Sequence, residues 1–189
     1  DNYGHIEEYT NHGQKASFIV GDDERECGLK FCWFGFRYAA VSRNAGIVSC
    51  AVEHCDVAVT SAFSSSNSLL DWMYSTYLRT QLDNMHCGIP SDCPHLEKRG
   101  YTGDGELVCE CVMMMTDSEK FYRKWLGDIA DCQDRVSGHV QYTAPYTRCG
   151  GGPGGWGCAI AEVPYTYYRM YGDKSVLEDF LPRTLRYFD

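Results

Sequence analysis

From residue 69 onward the chain repeats large apolar side chains at three- and four-residue steps: Leu69, Leu70, Met73, Tyr74, Tyr77, Leu78, Leu82 and Met85. That period is the spacing of one helix face, and it commits this part to helices that bury a stripe against one another. The residues before about 62 read differently. Phe31, Trp33, Phe34, Phe36, Tyr38 and Val41 form a short aromatic and β-branched stretch, and Val48, Cys50 and Val52 alternate within 47–59. The turn-forming strings Gly21-Asp22-Asp23 and Asn44-Ala45-Gly46 flank them, so strands are expected here. Residues 1–62 are therefore read as the end of a β-sandwich domain, and residues 63–189 as a helical one.

The helical part divides further. Ser68 with Asp71 forms a capping-box pattern for the first helix. A second helix is expected over about 104–115. A third is expected from Thr116 or Asp117, with Glu119 closing its cap and Phe121, Trp125, Leu126 and Ile129 as its buried face. A fourth should cover about 159–171, with Pro164 near its start or kinking it and Gly172-Asp173 ending it. The fifth is expected from Ser175, with Leu177, Leu181, Leu185 and Phe188 on its apolar side. The chain stops on that apolar side, so an incomplete helical domain is expected. A chain with uncovered helix faces should be poorly soluble or form homo-oligomers.

Two long segments lack any helical period, 86–103 and 137–158. Long loops in a compact domain tend to carry function. Each follows a helix and precedes another, so both are expected at one end of the helices, and a site is expected there.

Composition excludes several function classes. Lys and Arg number 17 against 26 Asp and Glu, a net charge of −9. Phosphate-backbone binding needs clustered cations, so a nucleic-acid partner is not expected. No run of about 18 apolar residues exists to cross a membrane. No apolar stretch follows the polar start DNYGHIEEY, so a cytoplasmic, reducing location is expected, with secretion after removal of a signal as the alternative. The eleven cysteines are odd in number and contain no C-x-x-C. They are expected to be mostly small buried apolar residues, with no metal centre. His86, His95 and His139 show no ligand spacing. The glycine run between Cys149 and Cys158 lacks the Gly-Lys-Ser/Thr of a phosphate loop, and no cofactor is expected. Met113, Met114 and Met115 are expected in the core, as are Trp33 and Trp125. Asp128, Asp131 and Asp134 are expected on a solvated helix side.

The chemistry concentrates in the first long loop, Pro90-Ser-Asp92-Cys93-Pro94-His95-Leu96-Glu97-Lys98-Arg99-Gly100-Tyr101-Thr102-Gly103-Asp104. Asp92, Glu97 and Asp104 place three carboxylates within thirteen residues. Glycoside hydrolysis needs one carboxylic acid to protonate the leaving oxygen and a second carboxylate across the sugar ring. Further carboxylates can hold sugar hydroxyls by charge-assisted hydrogen bonds. Taken bare, the same residues also suit turns and helix caps, and Asp104 could simply cap the helix that follows.

The string itself resembles the signature of the family 78 α-L-rhamnosidases, whose usual form is D-C-P-x-R-E-K/R-x-G-W/Y-x-x-D. The resemblance extends to Phe34-Gly35-Phe36-Arg37-Tyr38, Ser66-Asn67-Ser68-Leu69-Leu70 and Asn84-Met85-His86 upstream. Downstream it takes in Lys124-Trp125-Leu126 with Asp128 and Gln133, then Gly155-Trp156-Gly157, Val163-Pro164 and Tyr171-Gly172-Asp173. It implies a mainly α fold: the first part of an (α/α)6 barrel over residues 63–189, preceded by the end of a β-sandwich. It also implies inverting release of terminal α-L-rhamnose from a glycoside or polysaccharide. By position Glu97 takes the place of the general acid. Asp92 and Asp104 take the places of ligands to the rhamnose hydroxyls, and Tyr101 and Trp156 those of sugar-lining aromatics. Leu96, Arg99 and Cys158 depart from the usual Arg, Leu and Asp. The family's general base, a Glu far toward the C-terminus, has no counterpart among these residues. Two other readings carry the same residues: a rhamnose–glucuronate lyase on this scaffold, using Lys98 or Arg99 against a uronate carboxylate, and a non-catalytic carbohydrate-binding remnant.

Overall fold

The computed structural model describes residues 13–19, 21–22, 26–41 and 46–189. Among the described residues five α-helices follow the apolar period: α1 (Ser68–Asp83), α2 (Thr102–Met115), α3 (Glu119–Asp131), α4 (Ala159–Tyr171) and α5 (Lys174–Phe188). Six two-residue strands accompany them: β1 (Ala58–Val59), β2 (Met85–His86), β3 (Ile89–Pro90), β4 (Thr116–Asp117), β5 (Val140–Gln141) and β6 (Gly151–Gly152). They pair antiparallel as β1 with β4, β2 with β3, and β5 with β6.

The strands expected over 31–41 and 47–57 are not formed among the described residues. A strand requires a hydrogen-bonded neighbour, and Phe31, Val48 and Val52 find no sheet and stay exposed. Asp23, Asn44 and Ala45 of the expected turns lie outside the described residues. The early segment is nevertheless tied to the helical part. The Gln14 amide exchanges two hydrogen bonds of 2.8 Å with the Gly35 backbone. Gly35 in turn lies against the Pro94–His95 backbone, where a Cβ would come within 2.9 Å of the Pro94 carbonyl carbon.

The helix starts follow local chemistry, displaced slightly from the expected caps. Asn67, not Ser68, caps α1: its side chain accepts from the Leu69 N–H at 3.0 Å. Asp71 accepts from the Ser65 N–H at 2.7 Å and so braces the approach to the helix. The expected cap at Glu119 is also replaced. Thr116 and Asp117 pair with β1, and α3 begins only after Ser118. Asp173 caps α5 through the Ser175 N–H at 2.9 Å. Gly172 ends α4 in the left-handed conformation, φ 73°. Pro164 lies inside α4 and removes the donor that the Ile160 carbonyl would otherwise meet. The Thr184 hydroxyl of α5 donates to that carbonyl at 3.1 Å.

α4 is the hub, in contact with α2, α3 and α5. Its Ile160, Val163 and Tyr167 meet Cys109, Val112 and Met113 of α2, Tyr122, Trp125, Leu126 and Ile129 of α3, and Val176 and Phe180 of α5 in one core. The expected face of α3 is buried, with Tyr122 added. The expected face of α5 is not: Leu181, Leu185 and Phe188 are exposed. The sequence of α5 carries two apolar stripes, and α4 covers the one through Val176 and Phe180. The same side carries Thr184 to Ile160. α1 has no fully buried residue; Tyr74, Tyr77, Leu78 and Leu82 are half-covered, while Leu69, Leu70 and Met73 are exposed. All eleven cysteines are free thiols, and only Cys109 and Cys132 are buried. The rest lie mostly in loops or in the early segment, where no core surrounds them, contrary to the buried role expected for most of them. Met113 and Met115 are buried, but Met114 faces outward. Among the described residues no helix is long and apolar enough to cross a membrane.

Candidate active site

The two long loops meet at one end of the helices, as expected. The Thr102 N–H donates to the Tyr142 carbonyl and the Ala144 N–H to the Gly100 carbonyl, both at 2.9 Å. Tyr101 and Thr143 form an isolated antiparallel bridge between them. These bonds also explain why α2 starts at Thr102, two residues before Asp104: its first free N–H is met by the second loop, and no side chain caps it. Asp104 is thus an exposed residue of the first turn, not a cap. Beneath the junction Trp125 is fully buried, with its indole N–H on the Ala144 carbonyl at 3.0 Å. Gly105 lets that ring approach; a Cβ there would stand 2.3 Å from the indole.

Asp92 closes the signature loop on itself. Its N–H donates to the Arg99 carbonyl at 3.1 Å, and its carboxylate accepts from the Cys93 thiol at 2.9 Å and from the Arg99 N–H at 3.4 Å. Burial pushes the Cys93 thiol up, and the bond to Asp92 adds to that. Lys98 adopts φ 55°, sparsely populated for a side-chain-bearing residue. Its ammonium donates to the Trp33 carbonyl at 2.5 Å and lies 5.0 Å from the Trp33 ring centre. Trp33 is therefore not a core residue. It is half-buried over the signature loop and stacks on His86 with ring centres 4.4 Å apart. His86 is buried and bonded to the Asp83 carbonyl at 3.1 Å, and burial lowers its pKa.

Glu97 presents its carboxylate at the surface, with 48% of the side chain exposed. The Tyr101 hydroxyl donates to Glu97 Oε2, and this bond pushes the phenol up to about 12. Arg99 stands 3.8 Å from the same oxygen and donates to Cys149 Sγ at 2.6 Å. The Cys149 thiol is held below its ordinary range, first by the Thr147 hydroxyl, with Tyr101 and Arg99 adding to the effect. Glu97, Arg99, Tyr101 and Cys149 so form one hydrogen-bonded group that spans both loops.

Asp92 and Asp104 line a separate hollow of about 260 Å³, together with Asn84, Pro90 and Ser91. Glu97 is not part of its lining. Trp156 sits in a 3-10 turn, Gly155–Cys158, 46% exposed. Its indole lies against Gly103, where a Cβ would come within 2.7 Å, and meets the Tyr142 ring edge-on at 5.8 Å. The five residues singled out in the sequence therefore share one end of the fold in three neighbouring groups: Glu97 with Tyr101, Asp92 with Asp104, and Trp156 beside Gly103. Sequence reasoning missed Cys149 and Tyr142 as members of the site. Their places depend on the crossing of the loops, and only the position of Cys149 at the head of the glycine run hinted at one of them. Among the described residues, no three His, Cys, Asp or Glu side chains gather as metal ligands. Asp128 pairs with Lys124 at 2.5 Å, and Asp134 accepts three bonds from Val136 and Ser137.

One carboxyl near this end is unusual. Glu106 Oε2 is buried without a hydrogen-bond partner, and burial, then the Glu162 charge, raises its pKa to about 7. The folded state therefore holds this proton more tightly than the unfolded chain. The stabilising contribution is complete below the ordinary Glu range and is lost as pH rises through about 7. Glu106→Gln is expected to shrink the loss of Tm between pH 5 and pH 8. A Tm difference equal to that of the wild type would show that Glu106 titrates normally.

Residues 58–189 match the family described as bacterial alpha-L-rhamnosidase 6 hairpin glycosidase domain. An α-L-rhamnosidase of Formosa agariphila is 30% identical over 177 residues, covering 86% of this chain and 18% of that protein. One of Streptomyces avermitilis is 30% identical over 180 residues, covering 90% of this chain and 17% of that protein. The crystal structure of the Streptomyces avermitilis α-L-rhamnosidase complexed with L-rhamnose superposes with a TM-score of 0.68 at 32% identity, over 71% of this chain and 13% of that one. The helical hairpins and the loop-built end are thus those of a six-hairpin glycosidase domain. The chain belongs to the bacterial α-L-rhamnosidase six-hairpin glycosidase family. It spans less than a fifth of the length of the curated relatives it matches.

Proposed function

We propose that this chain supplies the acid side of an α-L-rhamnosidase active site, in a protein that releases terminal α-L-rhamnose from glycosides or polysaccharides with inversion. The observation that carries this reading is the solvent-facing Glu97 carboxylate, bonded to Tyr101, on the same end of the fold as the Asp92–Asp104 hollow and the half-exposed Trp156. Glu97 in its acid form protonates the glycosidic oxygen as the bond breaks. Asp92 and Asp104 accept hydrogen bonds from sugar hydroxyls, which charge on the acceptor strengthens. The faces of Tyr101 and Trp156 cover the apolar side of the sugar ring. Inversion needs a second carboxylate about 6.5–9.5 Å from the acid, with a water between them. That base belongs to the protein beyond these 189 residues. Residues 1–62 end the sandwich domain and 63–189 open the (α/α)6 barrel in this reading.

The test is proton NMR of the first product formed from an α-L-rhamnoside by the full-length protein. Inversion predicts β-L-rhamnose before mutarotation. The α-anomer appearing first would refute inversion, and an unsaturated uronate in place of free rhamnose would establish elimination instead.

A further inference from the structure

We propose that Tyr187, in the last turn of α5, is a positioning residue that fixes the Trp156 platform; this rests on the sugar-binding reading of Trp156 given above. The glycine run leading to Trp156 has few side chains of its own to hold it. Gly150, Gly151, Gly152, Gly154 and Gly155 surround a single proline, and Gly154 adopts φ 103°. Glycine backbone is costly to order because its unfolded freedom is large. A platform carried on such a segment needs an anchor from elsewhere in the fold.

Tyr187 provides it from 33 residues away in sequence. Its hydroxyl donates to the Gly154 carbonyl at 2.8 Å and accepts from the Gly154 N–H at 3.0 Å. Its ring lies on Gly157, where a Cβ would stand 2.4 Å from the hydroxyl oxygen and 2.5 Å from ring carbon Cε2. The Gly157 N–H returns to the Gly154 carbonyl at 2.9 Å, closing the turn. Trp156 is thus held between two residues that Tyr187 touches directly. Burial raises the Tyr187 phenol, so the hydroxyl keeps the proton that it donates. Thr184, one turn earlier on the same side of α5, repairs the carbonyl freed by Pro164 in α4. The stripe of α5 that faces α4 therefore ends as the support of the site.

The experiment compares Tyr187→Phe, Trp156→Ala and the double variant in the full-length protein. Steady-state kinetics on an α-L-rhamnoside, calorimetric binding of L-rhamnose and thermal denaturation are measured on each. Phe keeps the ring and removes both hydrogen bonds. It is expected to raise KM and the Kd of L-rhamnose roughly five- to tenfold, as loss of about one net hydrogen bond implies, with kcat within about twofold. Uniform loss of binding moves KM and not kcat, a split that mere loosening of the fold does not produce. The double variant should be no worse than Trp156→Ala alone. Gly157→Ala, which pushes the Tyr187 ring aside, should reproduce the rise in KM. Weakened binding in Trp156→Ala with unchanged KM in Tyr187→Phe would overturn the proposal, as would effects that multiply in the double variant. If Trp156→Ala itself leaves binding unchanged, the reading of Trp156 falls and this inference falls with it.

Discussion

Glu97→Gln in the full-length protein is expected to lower kcat/KM for an α-L-rhamnoside with a poor leaving group by about a thousandfold, within the range for loss of a general acid. The amide keeps the shape of Glu97, and its oxygen can still accept the Tyr101 hydroxyl, so the loop geometry is retained. What the amide cannot do is give up a proton as the glycosidic bond breaks. A leaving group such as p-nitrophenolate departs without that proton, so its loss should be far smaller. Rates for two rhamnosides that differ only in leaving-group acidity check this. An equal loss on both would remove Glu97 from the acid role, and no loss on either would remove it from the site. Glu97 is half-exposed, so the variant should change Tm little.

Trp125→Ala is expected to carry the largest stability cost, about 3–5 kcal/mol, or roughly 10 °C in the Tm of this domain. The side chain is completely buried. It fills the space that Gly105 leaves open, a space that Pro90 of the first loop also borders. Its N–H satisfies the Ala144 carbonyl in the second loop at 3.0 Å. Alanine leaves a cavity of indole size and an orphaned carbonyl at the place where the loops cross. Catalytic rate should fall together with stability, because Tyr101 and Cys149 lie on opposite sides of that crossing. Thermal denaturation with a loss below about 1 kcal/mol would mean that the loops hold together without the indole.

The places where the sequence misled are informative in the same terms. In α5 both Leu177–Leu181–Leu185–Phe188 and Val176–Phe180–Thr184–Tyr187 recur at helical steps. Periodicity cannot rank two such stripes; contact with α4 does. Asn67 and Ser68 are adjacent capping residues, and one residue of offset in the first turn decides between them. Trp33 read as a core residue because it is large and aromatic, yet it covers the signature loop by stacking on His86 and holding Lys98. The aromatic stretch around it has strand composition but no partner among the described residues, and composition alone forms no ladder.

By itself the sequence determined the helical class, the approximate extents of five helices, the buried face of α3 and the two aperiodic loops. These follow from side-chain spacing, which depends only on local backbone geometry. The signature spacing also placed Asp92, Glu97 and Tyr101 on one loop and Asp104 at the start of the helix that follows it, with Trp156 in the other loop. Only the tertiary structure decided that Glu97 pairs with Tyr101 while Asp92 and Asp104 share a hollow, that Cys149 and Arg99 join Glu97 and Tyr101, and that Tyr187 anchors the turn carrying Trp156. The Tyr187–Gly154 and Arg99–Cys149 contacts join residues 33 and 50 positions apart. They form because Trp125 and the α4 core bring the loops and helix ends together, and no local period in the chain encodes that approach.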